Sequence, residues 1–430
     1  MRLAALDSLR GLCALMVALL HINSVSHISE SSFVRQSWLF VDFFFVLSGF
    51  VIAFTYLDKI ESKAALVEFA IRRFGRVWPL HAAILLLFMM SECLKLGLSH
   101  VGGLPTHEPA FSGGHTLDTI AANLLLMHSL GLYHVLTWNG PSWSISVEFY
   151  TYLLFASGCL LARRRIVAVS LSLIALSLLV LCIWTPAYLG TGVELTMMRC
   201  LYGFFAGVLV ALAFRELSRR GVALPMATVL EAGSVALAVG FVLACGASDA
   251  LEMLAPAVFG GVVLVFAFQS GRLSELLLRP GFAWLGARSY AIYMVHALVR
   301  ELLTRGLLVA GSLSGVHAVT PMPVPGGIAD MVFIHDRFAT DLFVLLYVAV
   351  VLASAELAHR AVEQPGRNLF NRLARVYRQG RSPAPGLPTI SARAAEPGDV
   401  RPGSAFRRHP ACLTTEEANL AIHPRFRVRS

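Results

Sequence analysis

The sequence predicts an all-α integral membrane protein of about ten transmembrane helices, with both the N- and the C-terminus in the cytoplasm. Three observations predict it. The 430 residues are 57% hydrophobic and only 14% charged, where an ordinary soluble domain has about 25% charged residues, and the mean hydropathy is +0.69. Ten apolar stretches are long enough to cross a bilayer: 8–28, 38–57, 77–98, 142–162, 166–184, 196–214, 225–245, 251–268, 289–309 and 338–359. With the N-terminus inside, 22 Lys and Arg fall on the cytoplasmic side and 6 on the other, which is the positive-inside bias. The net charge of +9 therefore reports orientation, and no nucleic acid is expected as a partner.

The first stretch, SLRGLCALMVALLHINS over 8–24, lacks an Ala-x-Ala-type cleavage site and reads as a retained span. It carries Arg10 near its cytoplasmic end and His21 in its outer half. Eleven positions make about three helical turns, so the two side chains share a face about 16 Å apart along the axis, with Asp7 on the same side. A polar group in a span either bonds a neighbouring helix or faces a solvated interior. Both readings stand for His21, and the second makes it a proton acceptor. The second span, FVDFFFVLSGFVIA, holds Asp42 near its outer end, and its small pair Gly49 and Ala53 predicts close helix packing. FAIRRFGRVWPLH follows, with Arg72, Arg73 and Arg76 in the cytoplasmic loop and Pro79 near the start of the third span, where its missing N–H does little harm. Three arginines anchor topology. They also suit an anion, because Arg72 and Arg76 share a face if the segment is helical, and guanidinium forks fit phosphate.

Residues 119–136, TIAANLLLMHSLGLYHVL, are nearly long enough to cross. A crossing there would carry Arg163, Arg164 and Arg165 outside, so an interfacial or re-entrant helix on the outer face is predicted instead. The fourth span opens with NGPSWSISVEFYTYLLF. Ser142 is a candidate helix cap, and Ser144 and Glu148 share a side at i, i+4. A buried carboxylate is unfavourable unless paired. Glu148 lies at a depth comparable to His21, as an orienter of an imidazole base or as a pin for helix packing. Ser142, Trp143, Ser144 and Ser146 are candidate lining of one site. In the ninth span, ARSYAIYMVHALV, Tyr293 and His296 stand at i, i+3, either packed or lining a pore. Glu363, past the last span, is a candidate counter-charge for the inner arginines. VTPMPVPGGIADM reads as an irregular loop. Residues 376–430, rich in Pro, Gly and Arg, are predicted to be a disordered cytoplasmic tail, which leaves 1–375 as the membrane domain. The 7 cysteines include no C-x-x-C pair, so neither a metal site nor a disulfide framework is expected.

LDSLRG through His21, VDFFFVLSGF, RRFGR, PSWSISVEFY, SYAIYMVH and VEQP occur in this order over about residues 1–375. Together they resemble the acyltransferase-3 family of membrane O-acyltransferases. The resemblance implies transfer of an acyl group, usually acetyl, from cytoplasmic acyl-CoA to a hydroxyl on an extracytoplasmic or membrane-associated acceptor. It implies a multi-pass protein of the bacterial inner membrane whose partners are acyl-CoA, a carbohydrate or lipid-linked glycan, and the bilayer. Carried over, His21 is the catalytic histidine, Arg10 its partner and Glu148 a polar site residue. Arg72, Arg73 and Arg76 bind the CoA phosphates. Asp42, Tyr293 and His296 join the serines as possible lining. Acyl-CoA is then a substrate, and no bound cofactor is expected. The rival expectation is a secondary transporter of an anionic or glycan-related solute, although the two halves show no internal repeat.

Overall fold

Apolar runs in lipid satisfy their backbone within the run, and so they fold as helices. Each of the ten stretches contains one. They are α1 (Ala4–Leu20), α2 (Phe40–Tyr56), α3 (Lys63–His100), α4 (Trp143–Ala162), α5 (Ile166–Trp184), α6 (Thr196–Arg219), α7 (Ala227–Cys245), α8 (Ala255–Ala267), α9 (Pro280–Ser314) and α10 (Arg337–Ala358), followed by α11 (Gln364–Gln379). The computed structural model describes residues 3–100, 109–184, 195–246, 249–315, 317–324 and 327–379. Among these residues, 6 helical stretches are long and apolar enough to cross a membrane by length and composition. One of them, Gly140–Trp184, contains both α4 and α5, on either side of the turn Arg163–Arg165. Outside that set fall α1, with 17 residues, α8, with 13, and α9, which carries Arg288, Arg300, Glu301 and Arg305.

Glycines set two helix crossings. A Cβ on Gly49 of α2 would lie 1.9 Å from the Phe204 carbonyl oxygen of α6, and one on Gly207 would lie 1.9 Å from that of Val46. The small pair in α2 therefore marks a tight backbone contact, as its spacing predicts. The α1–α9 crossing works the same way: a Cβ on Gly11 would lie 2.6 Å from the Leu285 backbone, and one on Gly286 would lie 2.5 Å from that of Asp7. The second crossing brings Arg10 beside Ser289, and so it frames the site described below.

The structure corrects several expectations. The first helix ends at Leu20, not near 28, and His21 is its C-cap. Beyond it Ser24 bridges to Val332 and Ser26 caps the short helix His27–Glu30, so hydroxyl-rich sequence ends the span early. The third helix begins at Lys63, where Ser62 Oγ accepts the Ala65 N–H at 3.1 Å. The arginine cluster therefore lies on a helix, not in a loop, and Pro79 falls inside that helix. The helix expected over 119–136 shrinks to Thr119–Leu124. Left-handed turns at Leu126 (φ 57°) and Gly131 (φ 84°) fold the rest back, so that Asn123, His128 and Ser129 are buried. The expected irregular loop contains an antiparallel hairpin, β1 (Val319–Val324) with β2 (Gly327–Val332). The helix α11 runs to Gln379, past the predicted boundary at 375, and 380–430 lies outside the described residues.

Candidate active site

A cavity of about 820 Å³, counted to its open mouth, lies between α1, α2, α3, α4 and α9. Three guanidinium groups line one end. Arg10 Nε donates to Ser289 Oγ at 2.8 Å, and its Nη2 pairs with Asp7 at 3.0 Å. Arg76 pairs with Glu363, and its guanidinium lies 5.7 Å from the centre of the Tyr290 ring. Arg73 donates to Tyr56 OH at 3.1 Å and lies over that ring at 5.1 Å. Among the described residues no carboxylate pairs directly with Arg73, and its buried Nε has no partner. This end of the cavity therefore suits an anion.

Along the wall, Ser48 and Tyr152 share a hydrogen bond of 2.8 Å, and Glu148 lines the same wall. Arg10 and Arg73 line the same cavity as that carboxylate. At the far end Ser144 Oγ lies 2.8 Å from Tyr293 OH, which donates to the Pro141 carbonyl at 2.8 Å. His296 follows on α9, its ring 5.8 Å from that of Tyr293 and 4.9 Å from that of His21. The two imidazoles are held alike. His21 Nδ1 contacts the Val17 carbonyl at 2.8 Å and His296 Nδ1 the Ile292 carbonyl at 3.3 Å, each four residues back. A carbonyl accepts only, so each Nδ1 carries the proton and each Nε2 keeps its lone pair. His296 is fully buried, and its Nε2 has no partner among the described residues.

Arg10, Arg73, Arg76, Ser144, Glu148 and Tyr293 thus converge on one cavity. His21 and His296 adjoin its far end without lining it. The remaining expectations are corrected. No described hydrogen bond joins His21 to Glu148; the imidazole is held by the Val17 carbonyl, and the carboxylate lies in the cavity wall with Ser48 and Tyr152. Arg72 turns away to Glu68 at 2.8 Å and Asn371 at 3.1 Å. Asp42 is buried in a two-point ion pair with Arg199, at 3.1 and 2.7 Å, beside Trp143. Ser142 occupies the N-cap position of α4, but its hydroxyl contacts His128 at 3.1 Å and caps nothing. Ser146 Oγ donates to the Leu126 carbonyl and so fastens the folded-back segment. Sequence reasoning missed Tyr152, Ser289 and Tyr290 as lining residues. Their signal was positional: Tyr152 is four after Glu148, and Ser289, Tyr293 and His296 fall on one helical face.

The acyltransferase domain family matches residues 3–359. The chain is 25% identical over 401 residues to "Acyltransferase MdmB" of Streptomyces mycarofaciens, covering 86% of this chain and 93% of that protein. It is also 30% identical over 167 residues to "Protein 2 in picA locus" of Rhizobium radiobacter, covering 36% of this chain and 81% of that one. No solved structure matches it. With the family match running from the first helix to the end of the tenth, and with apolar helices long enough to cross a bilayer, the chain belongs to the acyltransferase-3 family and is a membrane acyltransferase.

Proposed function

We propose that the protein transfers an acyl group, acetyl in the simplest case, from cytoplasmic acyl-CoA to a hydroxyl of a cell-surface glycan in the bacterial inner membrane. The observation that carries this reading is the polarity of the cavity, with three guanidinium groups at one end, hydroxyls at the other, and two imidazoles adjoining those hydroxyls from outside the lining. CoA is polyanionic at its nucleotide end and slender along its pantetheine arm. The arginine end holds phosphate, the arm follows the cavity, and the thioester meets the acceptor near His21. There the Nε2 lone pair takes the hydroxyl proton as the new ester bond forms, and the thiolate of CoA leaves. Ser144 and Tyr293 line the wall beside this centre, their O–H groups committed to one another and to the Pro141 carbonyl. Glu148 supplies negative charge to the same cavity as Arg10 and Arg73.

The same reading gives the chain ten crossings with both termini in the cytoplasm. A cluster of ion pairs supports it. Arg163, between α4 and α5, reaches Asp58 and Glu61 at 2.9 Å, between α2 and α3, and Arg215 near the end of α6 reaches Asp58 at 2.7 Å. Three segments assigned to one side of the membrane therefore meet.

The experiment is acyl transfer from labelled acyl-CoA to isolated glycan by purified protein. General-base help is worth about 10²–10⁴ in rate, so His21→Ala should lose that much at equal folded abundance. Full activity in His21→Ala removes the mechanism. Uptake of a solute without a covalent product would replace it by transport.

A further inference from the structure

Outside the cavity, a second polar groove of about 660 Å³ runs between α3 and α11 and is lined by Arg72, Asn368, Asn371, Arg372 and Arg375. We propose that it binds the phosphorylated nucleotide end of the acyl-CoA donor, an inference that rests on the acyl-CoA reading above.

Charge is the first argument. Glu68 is shared by Arg72 at 2.8 Å and Arg378 at 2.7 Å, and Glu363 is taken by Arg76. Among the described residues no carboxylate pairs with Arg372 or Arg375. Arg375 donates only to the Asn371 carbonyl, at 3.4 Å, and Arg372 and Asn368 bond no described residue. Exposed guanidinium groups this close repel one another unless an anion sits between them.

Orientation is the second argument, and it separates a soluble anion from a lipid headgroup. α11 has three stripes. Ala374 and Phe370 face the protein, where Phe370 packs on Phe74. Leu369, Leu373 and Val376 are exposed apolar residues that suit the bilayer edge. Asn368, Asn371, Arg372 and Arg375 lie about a third of a turn away from that apolar stripe, on the side that faces water.

Continuity with the cavity is the third. Arg72 and Arg73 are successive residues of α3, with Cα atoms about 3.8 Å apart. Arg72 lines the groove and Arg73 the cavity. The groove and the cavity therefore lie on neighbouring faces of one helix, and an extended donor with its nucleoside phosphates in the groove can bring the inner end of its chain to the cavity's arginines. The Asn368 amide adds a donor and an acceptor of the kind that meets an adenine edge, while guanidinium forks take phosphate oxygens.

The test compares binding of free CoA and of phosphopantetheine, which keeps the arm and lacks the nucleoside phosphates. The full chain is placed in zwitterionic nanodiscs. Wild type should prefer CoA by about tenfold or more, as charge-assisted contacts warrant. Arg372→Gln with Arg375→Gln should erase that preference and leave phosphopantetheine binding as it was. Equal loss for both ligands, or an undiminished preference for CoA, overturns the inference. So does displacement of CoA from the wild type by phosphatidylglycerol in the disc, which would make the groove a lipid site. The binding arm involves no turnover, so it fails separately from acyl transfer: a wild type that binds CoA through the groove yet transfers nothing refutes the chemistry alone.

Discussion

Asp42 and Arg199 show how a single residue in an apolar helix can be read for the wrong purpose. In sequence, Asp42 is a carboxylate inside a span, as Glu148 is. In the structure Asp42 is fully buried against Arg199, 157 positions away, whose guanidinium lies 5.4 Å from the centres of both the Trp38 and Trp143 rings. Glu148 instead borders open space. Removing one member of a buried pair strands the other charge, at about 3–5 kcal/mol. Asp42→Ala should therefore lower the thermal midpoint and the folded yield in detergent, and Asp42→Ala with Arg199→Met should recover most of the loss. If Asp42→Ala folds as stably as wild type but cannot transfer, Asp42 belongs to the site. Residue chemistry and depth made Arg10, Glu148, Ser144 and Tyr293 legible in sequence. They did not separate cavity residues from Asp42, Ser142 and Ser146, because the partners that decide it come from distant segments: Arg199, His128 and Leu126.

Elements were legible where hydropathy alone decides them, and less so where hydrogen bonds do. The ten apolar stretches are helices. The segment after Leu124 is equally apolar, yet it folds back because Asn123, Ser129 and His128 find partners in Thr119, Thr137, Ser146 and Ser142. Next to it, residues 109–115 are fastened by Glu92 of α3, which accepts from the Phe111 N–H at 2.9 Å and pairs with Arg305 at 3.0 Å. His115 spans two acceptors, with Nδ1 3.1 Å from Glu92 and Nε2 3.2 Å from the Trp138 carbonyl. Both nitrogens must then donate, which requires the imidazolium. Burial works against that charge, but Glu92 and Glu301 outweigh it and hold His115 above the usual imidazole range. A raised folded-state pKa gives a contribution that is full below the unfolded value of about 6.5 and is lost as pH rises through the folded one. Hydrogen exchange at residues 109–118, corrected for the intrinsic pH dependence, should therefore accelerate with rising pH in wild type and stay flat in His115→Gln. Protection that grows with pH would contradict the imidazolium.

At the scale of the molecule, hydropathy placed apolar helices along the chain and charge proposed their sidedness, but neither showed which helices pair, because close approaches such as Gly49 to Phe204 and Gly11 to Leu285 join segments remote in sequence. Sidedness carries the mechanism. Tyr56, the last residue of α2, binds Arg73 at the arginine end of the cavity, and Asp58, two residues on, joins Arg163 and Arg215. The arginine mouth and the arginine-rich turns therefore lie at one end of the bundle, and whichever compartment holds Arg164 also faces the arginine mouth. Single-cysteine reporters in a cysteine-free background decide the compartment. Leu117→Cys, at an exposed position before Thr119–Leu124, should react with a membrane-impermeant maleimide in intact cells. Arg164→Cys and Arg220→Cys should react only after the membrane is opened. Labelling of Arg164→Cys from outside would turn the cavity around and aim three guanidinium groups at a compartment without acyl-CoA. The donor assignment would then fall, even with every helix where hydropathy put it.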